Sequence, residues 1–161
     1  MVLVVMGVSG VGKTTVGRLL ATTMGWEFRD ADDLHSPANK RKMTHGIALT
    51  DADRAPWLAA IRELVAATLA NNTNLVLACS ALKQAYRETV VVDRARMRIV
   101  YLKGPRELIA SRMANRKSHF MNKDLLQSQF DTLEEPRDAV VVDASATPEA
   151  VVADIRRQLG I

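Results

Sequence analysis

Apolar residues fall along the chain in two alternating rhythms, short unbroken runs and longer stripes of helical spacing. The runs are Val2 to Met6, Trp26 to Phe28 (ending at Arg29-Asp30), Leu75 to Cys79, Ile99 to Leu102 and Ala139 to Val142. Continuous β-branched runs of this kind predict parallel strands buried on both faces. Between them, Val16, Leu19, Leu20 and Met24 predict a helix over Lys13 to Met24, closed by Gly25. Ser36-Pro37 reads as an N-cap and first helical position, opening a short basic helix through Lys40, Arg41, Lys42 and Met43 that Gly46 closes. Thr50-Asp51-Ala52-Asp53 has the form of a capping arrangement, with a longer helix from near Pro56 to Asn71 turning Leu58, Ile61, Leu64, Val65 and Leu69 inward. Ser80 to Arg87 enters a further helix, and Gly104-Pro105 turns into one carrying Leu108, Ile109, Arg112 and Met113. Another runs from about Lys123 to Leu133 and is broken by Glu134-Glu135-Pro136. The last is capped at Thr147-Pro148-Glu149 and buries Val151, Val152, Ile155 and Leu159.

Five strands separated by helices imply an α/β fold, a parallel sheet in three layers with right-handed crossovers. No internal repeat, low-complexity tract or linker interrupts the pattern. With 161 residues, 48% of them apolar, one buried core and a single domain over residues 1–161 are expected.

The first strand runs directly into Gly7-Val8-Ser9-Gly10-Val11-Gly12-Lys13-Thr14, which fits G-x-x-x-x-G-K-[ST] in the required strand-to-helix setting. Glycines let the backbone wrap an anion so that N–H groups between Ser9 and Thr15 point inward, and the following helix adds the positive end of its dipole. Lys13 is then expected to reach the β- and γ-phosphates of a nucleotide, and the Thr14 hydroxyl to ligate Mg²⁺. Gly10 is extra to the motif and is explained equally by turn chemistry.

Composition narrows the setting. The only cysteine, Cys79, lies inside an apolar run, so there is no disulfide framework and no thiolate metal cluster. Met1 to Met6 is too short for a signal-peptide core or a membrane span, and a cytoplasmic protein with no membrane partner is expected. From Ser80 to Phe120 ten basic residues face three acidic ones, a local +7 within an overall +4. A basic half suits nucleic acid or small anions. Aromatic residues are only 4% and none alternate with these charges as a stacking platform requires, so no nucleic-acid partner is expected.

Asp30-Ala31-Asp32-Asp33-Leu34-His35 places an acidic cluster at the carboxyl end of the second strand, the sheet edge where ligands sit in open α/β folds. The third strand ends in Ser80 without a carboxylate, so the acid that serves the metal is expected from this cluster. If strand geometry continues, Asp30 and Asp32 share a face, one serving Mg²⁺ and the other a substrate hydroxyl. Asp33 reads as well as a helix cap, and a lone His35 is commonly structural. Arg112 and Arg116, four apart on one helix face, converge on an anion or remain solvated. Lys117 to Met121 lacks periodicity and is a candidate lid.

With these residues in view, the chain resembles the gluconokinases of the short P-loop sugar-acid kinases, related in fold to shikimate and nucleoside monophosphate kinases. Beyond the phosphate loop, the resemblance is carried by three stretches, Asp30 to Met43, Gly46 to Leu58 and Ala78-Cys79-Ser80-Ala81-Leu82-Lys83 with Tyr86-Arg87. It continues in His119-Phe120-Met121, Gln129-Phe130 and Thr132-Leu133-Glu134-Glu135-Pro136. Val11 departs from the small polar residue common in the family's loop. The resemblance implies a strand order 2-3-1-4-5 with a mobile lid over about 114–123 and a substrate-binding helical region over about 33–72. It also implies ATP and Mg²⁺ as cosubstrates, phosphorylation of D-gluconate to 6-phosphogluconate, and a homodimer as a common state. By similarity to the shikimate kinases, Asp30 would serve Mg²⁺ and Asp32 the acceptor hydroxyl.

A polyol acid needs a cation at one end and hydrogen-bond partners along its length. Arg54 or Arg87 is expected to take the carboxylate bidentately, with His35, Lys42, Ser80, Lys83 and His119 as further acceptor-site candidates. Lys13, Arg112 and Arg116 are expected to supply positive charge to the transferring phosphoryl group, with Asp32 orienting the attacking hydroxyl. The competing readings are a kinase of another small hydroxy acid such as shikimate, a kinase of nucleotides, a nucleotide-binding switch and a basic nucleic-acid binder. Asn122-Lys123-Asp124 lacks the spacer of a guanine-reading motif, and neither of the last two explains the acidic cluster.

Overall fold

The computed structural model describes residues 1–115 and 123–161. Among them, β2 (Glu27–Asp30), β3 (Leu75–Ala78), β1 (Val2–Met6), β4 (Met97–Lys103) and β5 (Val140–Asp143) lie side by side in that order as an all-parallel sheet. β1 is central because it can be: all five of its residues are buried, and Val2 pairs with Leu75 on one side and Met97 on the other. The outer strands β2 and β5 alternate with exposed positions, as edge strands of a solvated sheet must.

Side-chain alternation splits β1 between two cores. Leu3 and Val5 join Val16, Leu20, Ile109, Val151 and Ile155, from α1 (Lys13–Met24), α5 (Arg106–Ala114) and α7 (Pro148–Leu159). Val2, Val4 and Met6 join Trp57, Ile61, Val65, Tyr86 and Val90, from α3 (Asp51–Ala70) and α4 (Gln84–Val90). The period of two along the strand therefore produces the helix–sheet–helix sandwich. α2 (Pro37–Thr44) and α6 (Lys123–Thr132) complete the described helices.

Several local expectations shift. α3 begins at Asp51 rather than near Pro56, because Thr50 and Asp53 form a reciprocal capping box that starts the helix early. Pro56 then lies inside the helix, where its missing N–H costs only the bond to the Ala52 carbonyl. α4 starts at Gln84, not Ser80, since Ala81 takes a left-handed conformation (φ 43°) and the preceding residues run as a loop. Strand geometry does not continue past Asp30 either. Ala31–Leu34 is a 3-10 turn whose N-cap is Asp30 itself, so Asp30 and Asp32 do not alternate along a strand. The expected lid segment falls almost wholly on 116–122, with Arg116 and His119, and lies outside the described residues.

Candidate active site

The phosphate loop turns from β1 into α1. Gly12 caps α1 in the left-handed region (φ 107°), which an L side chain resists. Gly10 is more than turn chemistry: a Cβ there would come within 2.6 Å of Met113 Cγ, so its bareness lets α5 pack against the loop. Val11 is buried in the core on the same side, which accounts for an apolar residue at that position. Gly7, also buried, sits behind the loop against Leu102. Lys13 Nζ donates to the Val8 carbonyl at 3.0 Å, folding the ammonium back over the loop.

The acidic cluster meets the loop through one carboxylate. Thr14 Oγ1 donates to Asp30 Oδ2 at 2.9 Å, while Asp30 Oδ1 accepts the Asp32 N–H at 3.0 Å. Capping the 3-10 turn thus fixes Asp30 on Thr14 and sends the Asp32 side chain into a cavity it shares with Lys13, Ser9 and Ser80. Burial raises the Asp32 carboxyl above the usual carboxylate range, opposed by the nearby Lys13 ammonium.

The far wall of that cavity comes from α2 and α3. His35 is buried and stacked on Trp57, ring centroids 4.3 Å apart and 11° from parallel. Trp57 is held by its indole N–H on the Ala31 carbonyl (2.7 Å), and Asn39 bridges His35 Nδ1 (3.3 Å) to the Asp53 carbonyl (2.8 Å). Because the Asn39 amide donates, Nδ1 accepts and Nε2 carries the proton of the neutral ring. Burial, with Arg54 and Lys40 nearby, pushes the His35 pKa down to about 4, so the ring is an uncharged donor at neutral pH. Arg54 lines the same cavity, with Nη1 donated to Tyr86 Oη at 3.0 Å and its guanidinium over the Tyr86 ring. Tyr86 Oη donates in turn to Asp51, which also pairs with Lys83 at 3.3 Å.

Three candidates are not brought into this cavity. Arg87 is buried and commits its guanidinium to the carbonyls of Ala81 (2.8 Å), Leu82 (3.0 Å) and Glu134 (2.7 Å), so it braces the loop after β3 instead of meeting a ligand. Lys42 is paired with both Asp53 oxygens, at 2.9 and 3.0 Å. Lys83 stands outside, beside an adjoining open cleft. Arg112 lies apart from this cavity as well. Its guanidinium ties the Val11 carbonyl (3.1 Å) to that of Ala144 (2.8 Å) and lines a second cavity across the loop. Gly10, Val11, Gly12, Thr15, Ala146, Pro148 and Val151 line that cavity too. Trp57, Tyr86, Asn39 and Gln129 had no assigned role from sequence. The resembling segments contain all four, but only packing reveals what they touch.

The shikimate kinase family matches residues 9–159 of this chain. The gluconokinase of Gluconobacter oxydans is 44% identical over 158 residues, covering 96% of this chain and 89% of that protein. The chain belongs to the gluconokinase family. A gluconokinase from Sinorhizobium meliloti has the same architecture at 43% identity and a TM-score of 0.88, covering 98% of this chain and 90% of that one. An unliganded sugar kinase from Janibacter sp. superposes with a TM-score of 0.92 at 42% identity, covering 99% and 94%. The P-loop kinase fold and the use of a nucleotide follow from this membership. No described helix is long and apolar enough to cross a membrane.

Proposed function

We propose that the protein transfers the terminal phosphoryl group of ATP to the primary hydroxyl of D-gluconate, giving 6-phospho-D-gluconate and ADP. The observation that carries this reading is the single cavity lined by Lys13 at the start of α1, Asp32 in the 3-10 turn after β2, His35 before α2 and Arg54 on α3. It has a carboxylate and an ammonium where phosphoryl transfer needs them, and a guanidinium with a neutral donor where a polyol acid needs them.

In the transfer, the hydroxyl oxygen forms a bond to the γ-phosphorus as the bond to the β,γ-bridging oxygen breaks. Asp32 takes the hydroxyl proton, a task suited to a carboxyl raised by burial. Lys13 swings from the Val8 carbonyl to the phosphates and offsets the charge on the leaving ADP. Arg54 grips the substrate carboxylate, held by Tyr86, and the His35 Nε2–H addresses a chain hydroxyl. Thr14 Oγ1 and the Asp30 carboxylate are hard oxygen donors 2.9 Å apart, the one-or-two-ligand set that suits Mg²⁺ carrying its own water and phosphate ligands. Thr14 and Asp30 would hold Mg²⁺, which would supply charge neutralisation to the phosphates. Arg112 steadies the second cavity, across the phosphate loop, which takes the nucleotide base in this reading. A homodimer and a cytoplasmic location belong to the same reading, the first checked by light scattering.

The test is an ADP-release assay with gluconate, shikimate, other sugar acids and nucleoside monophosphates, repeated on Asp32→Asn. Turnover with gluconate well above the others, lost in the variant, is expected. Preference for another acid would reassign the substrate, and gluconate turnover that survives in Asp32→Asn would remove the proton-acceptor role.

A further inference from the structure

Gln129 is the point at which a helix remote in sequence touches the phosphate loop. It lies on α6, and its Oε1 accepts the Ser9 N–H at 2.5 Å across 120 residues of chain. Ser9 is a loop residue that lines the Asp32 and Arg54 cavity, so this N–H belongs to the acceptor-facing end of the loop. Gln129 lines that cavity as well.

The base of α6 is bolted in place one turn beyond Gln129. The Leu133 N–H returns to the Gln129 carbonyl at 2.9 Å, and the Glu134 N–H donates to the Leu82 carbonyl at 2.8 Å. The Arg87 guanidinium holds the Glu134 carbonyl at 2.7 Å, and Glu134 Oε1 caps the Gln84 N–H at 3.1 Å. Leu82 of the loop after β3, Gln129, Leu133 and Glu134 of α6 and its exit, and Gln84 and Arg87 of α4 thereby form one brace. It fixes where the Gln129 carboxamide can reach without involving the substrate.

One N–H serves one acceptor at full strength. The Gln129 Oε1 and an oxygen of a terminal phosphate compete for the Ser9 N–H, and the charged phosphate oxygen is the stronger acceptor. A carboxamide displaced from the loop remains in the cavity, where its oxygen and NH₂ are the acceptor and donors that a polyol hydroxyl uses. We infer that Gln129 is a positioning residue coupling the two substrates, taking the Ser9 N–H until a terminal phosphate claims it and then turning to a hydroxyl of the sugar acid. The inference rests on the acceptor-site reading above. It adds that gluconate affinity is linked to the terminal phosphate and not to the nucleotide as a whole, and that the linkage is reciprocal.

Calorimetric gluconate binding in the presence of Mg²⁺ with either AMP-PNP or ADP tests this without turnover. In the unmodified protein, AMP-PNP is expected to tighten gluconate binding several-fold relative to ADP. In Gln129→Ala that difference is expected to vanish, with gluconate weakened about 2- to 15-fold, the range of one neutral hydrogen bond. Gln129→Glu holds the Ser9 N–H more firmly and repels phosphate, so it should weaken AMP-PNP several-fold more than ADP. An AMP-PNP advantage retained in Gln129→Ala, or an unaltered AMP-PNP affinity in Gln129→Glu, would overturn the inference. Arg54→Ala run in parallel reports on the acceptor site alone. Gluconate affinity kept in Arg54→Ala with the linkage lost in Gln129→Ala would fault the Arg54 assignment, and the converse pair of results would fault Gln129.

Discussion

The two sides of the cavity are built in different ways. The nucleotide side is backbone: one contiguous stretch from Gly7 to Thr15, shaped by glycine conformations and by the start of α1. The acceptor side is side chains gathered from four separate places, with Asp32 and His35 after β2, Arg54 and Trp57 on α3, Ser80 after β3 and Gln129 on α6. A backbone cradle takes its turns from its own glycines, with Arg112 and Gln129 touching it from outside. A cradle of side chains needs every supporting contact, and here these are the Asp30 cap beneath Asp32, the Trp57 stack behind His35 and the Tyr86 hydroxyl against Arg54.

If the two sides are separable, each can be damaged alone. The largest effect is expected on the loop side. Lys13→Ala should lower kcat/KM about 10³-fold, ~4 kcal/mol of transition-state stabilisation, while calorimetry finds gluconate affinity in the absence of nucleotide within about 2-fold of normal. A comparable loss of gluconate binding would show that the sides are not independent.

The acceptor side carries a pH signature at His35. His35 has a folded pKa of about 4 against 6.5 for the free side chain, so between those values the unfolded chain binds a proton that the folded protein refuses. Stability conferred by the neutral ring is therefore fully present above pH 6.5 and falls as pH drops toward 4, by about 3 kcal/mol across the window. Urea unfolding of the unmodified protein and His35→Gln at pH 7 and near 4.5 measures it. The variant's stability should fall less over that interval, and parallel curves would place the acid sensitivity elsewhere.

Arg54→Ala is expected to raise the gluconate KM about 30-fold, ~2 kcal/mol, with the ATP KM within about 2-fold. Equal increases in both would mean that Arg54 serves the phosphates. The smallest change is Tyr86→Phe, which removes the hydroxyl between Arg54 and Asp51. It should cost about 2- to 5-fold in gluconate KM, up to ~1 kcal/mol, with kcat retained, because the guanidinium stays but loses one tether. An unchanged KM would show that Tyr86 does not orient Arg54.

Much of the scaffold was legible because its signals are local. The strand runs, the Gly25 stop, the Ser36 and Thr147 caps and the phosphate loop each sit where short-range pattern puts them. The misreadings arose where local cues compete. Pro56 reads as a helix start, but the Thr50–Asp53 box begins α3 earlier, and the cost of an internal proline in an exposed second turn is small enough to be carried. Asp30 and Asp32 look like alternating strand residues, yet Asp30 turns its carboxylate onto the Asp32 N–H and starts a 3-10 turn. Arg87 looks like a ligand for an acid, but three backbone carbonyls converge on it.

Sequence alone determined the parallel α/β plan, the phosphate loop, the acidic cluster beside it and, through resemblance, the chemistry. Each of these is written in neighbouring residues, whose spacing and backbone preferences act over a turn or a strand. Tertiary structure alone decided which charged side chains face the cavity and which are consumed in holding it. Arg54 and Arg87 carry the same group on neighbouring helices, and sequence offered both for one carboxylate. Their fates differ because Arg54 leans on Tyr86 at the cavity wall, whereas Arg87 is sealed against carbonyls that burial would otherwise leave without donors. No local pattern records that choice: Arg87 meets the Ala81 and Leu82 carbonyls only because the chain turns back there, and its third carbonyl comes from 47 residues away at Glu134, as the Arg54 partner Tyr86 comes from 32.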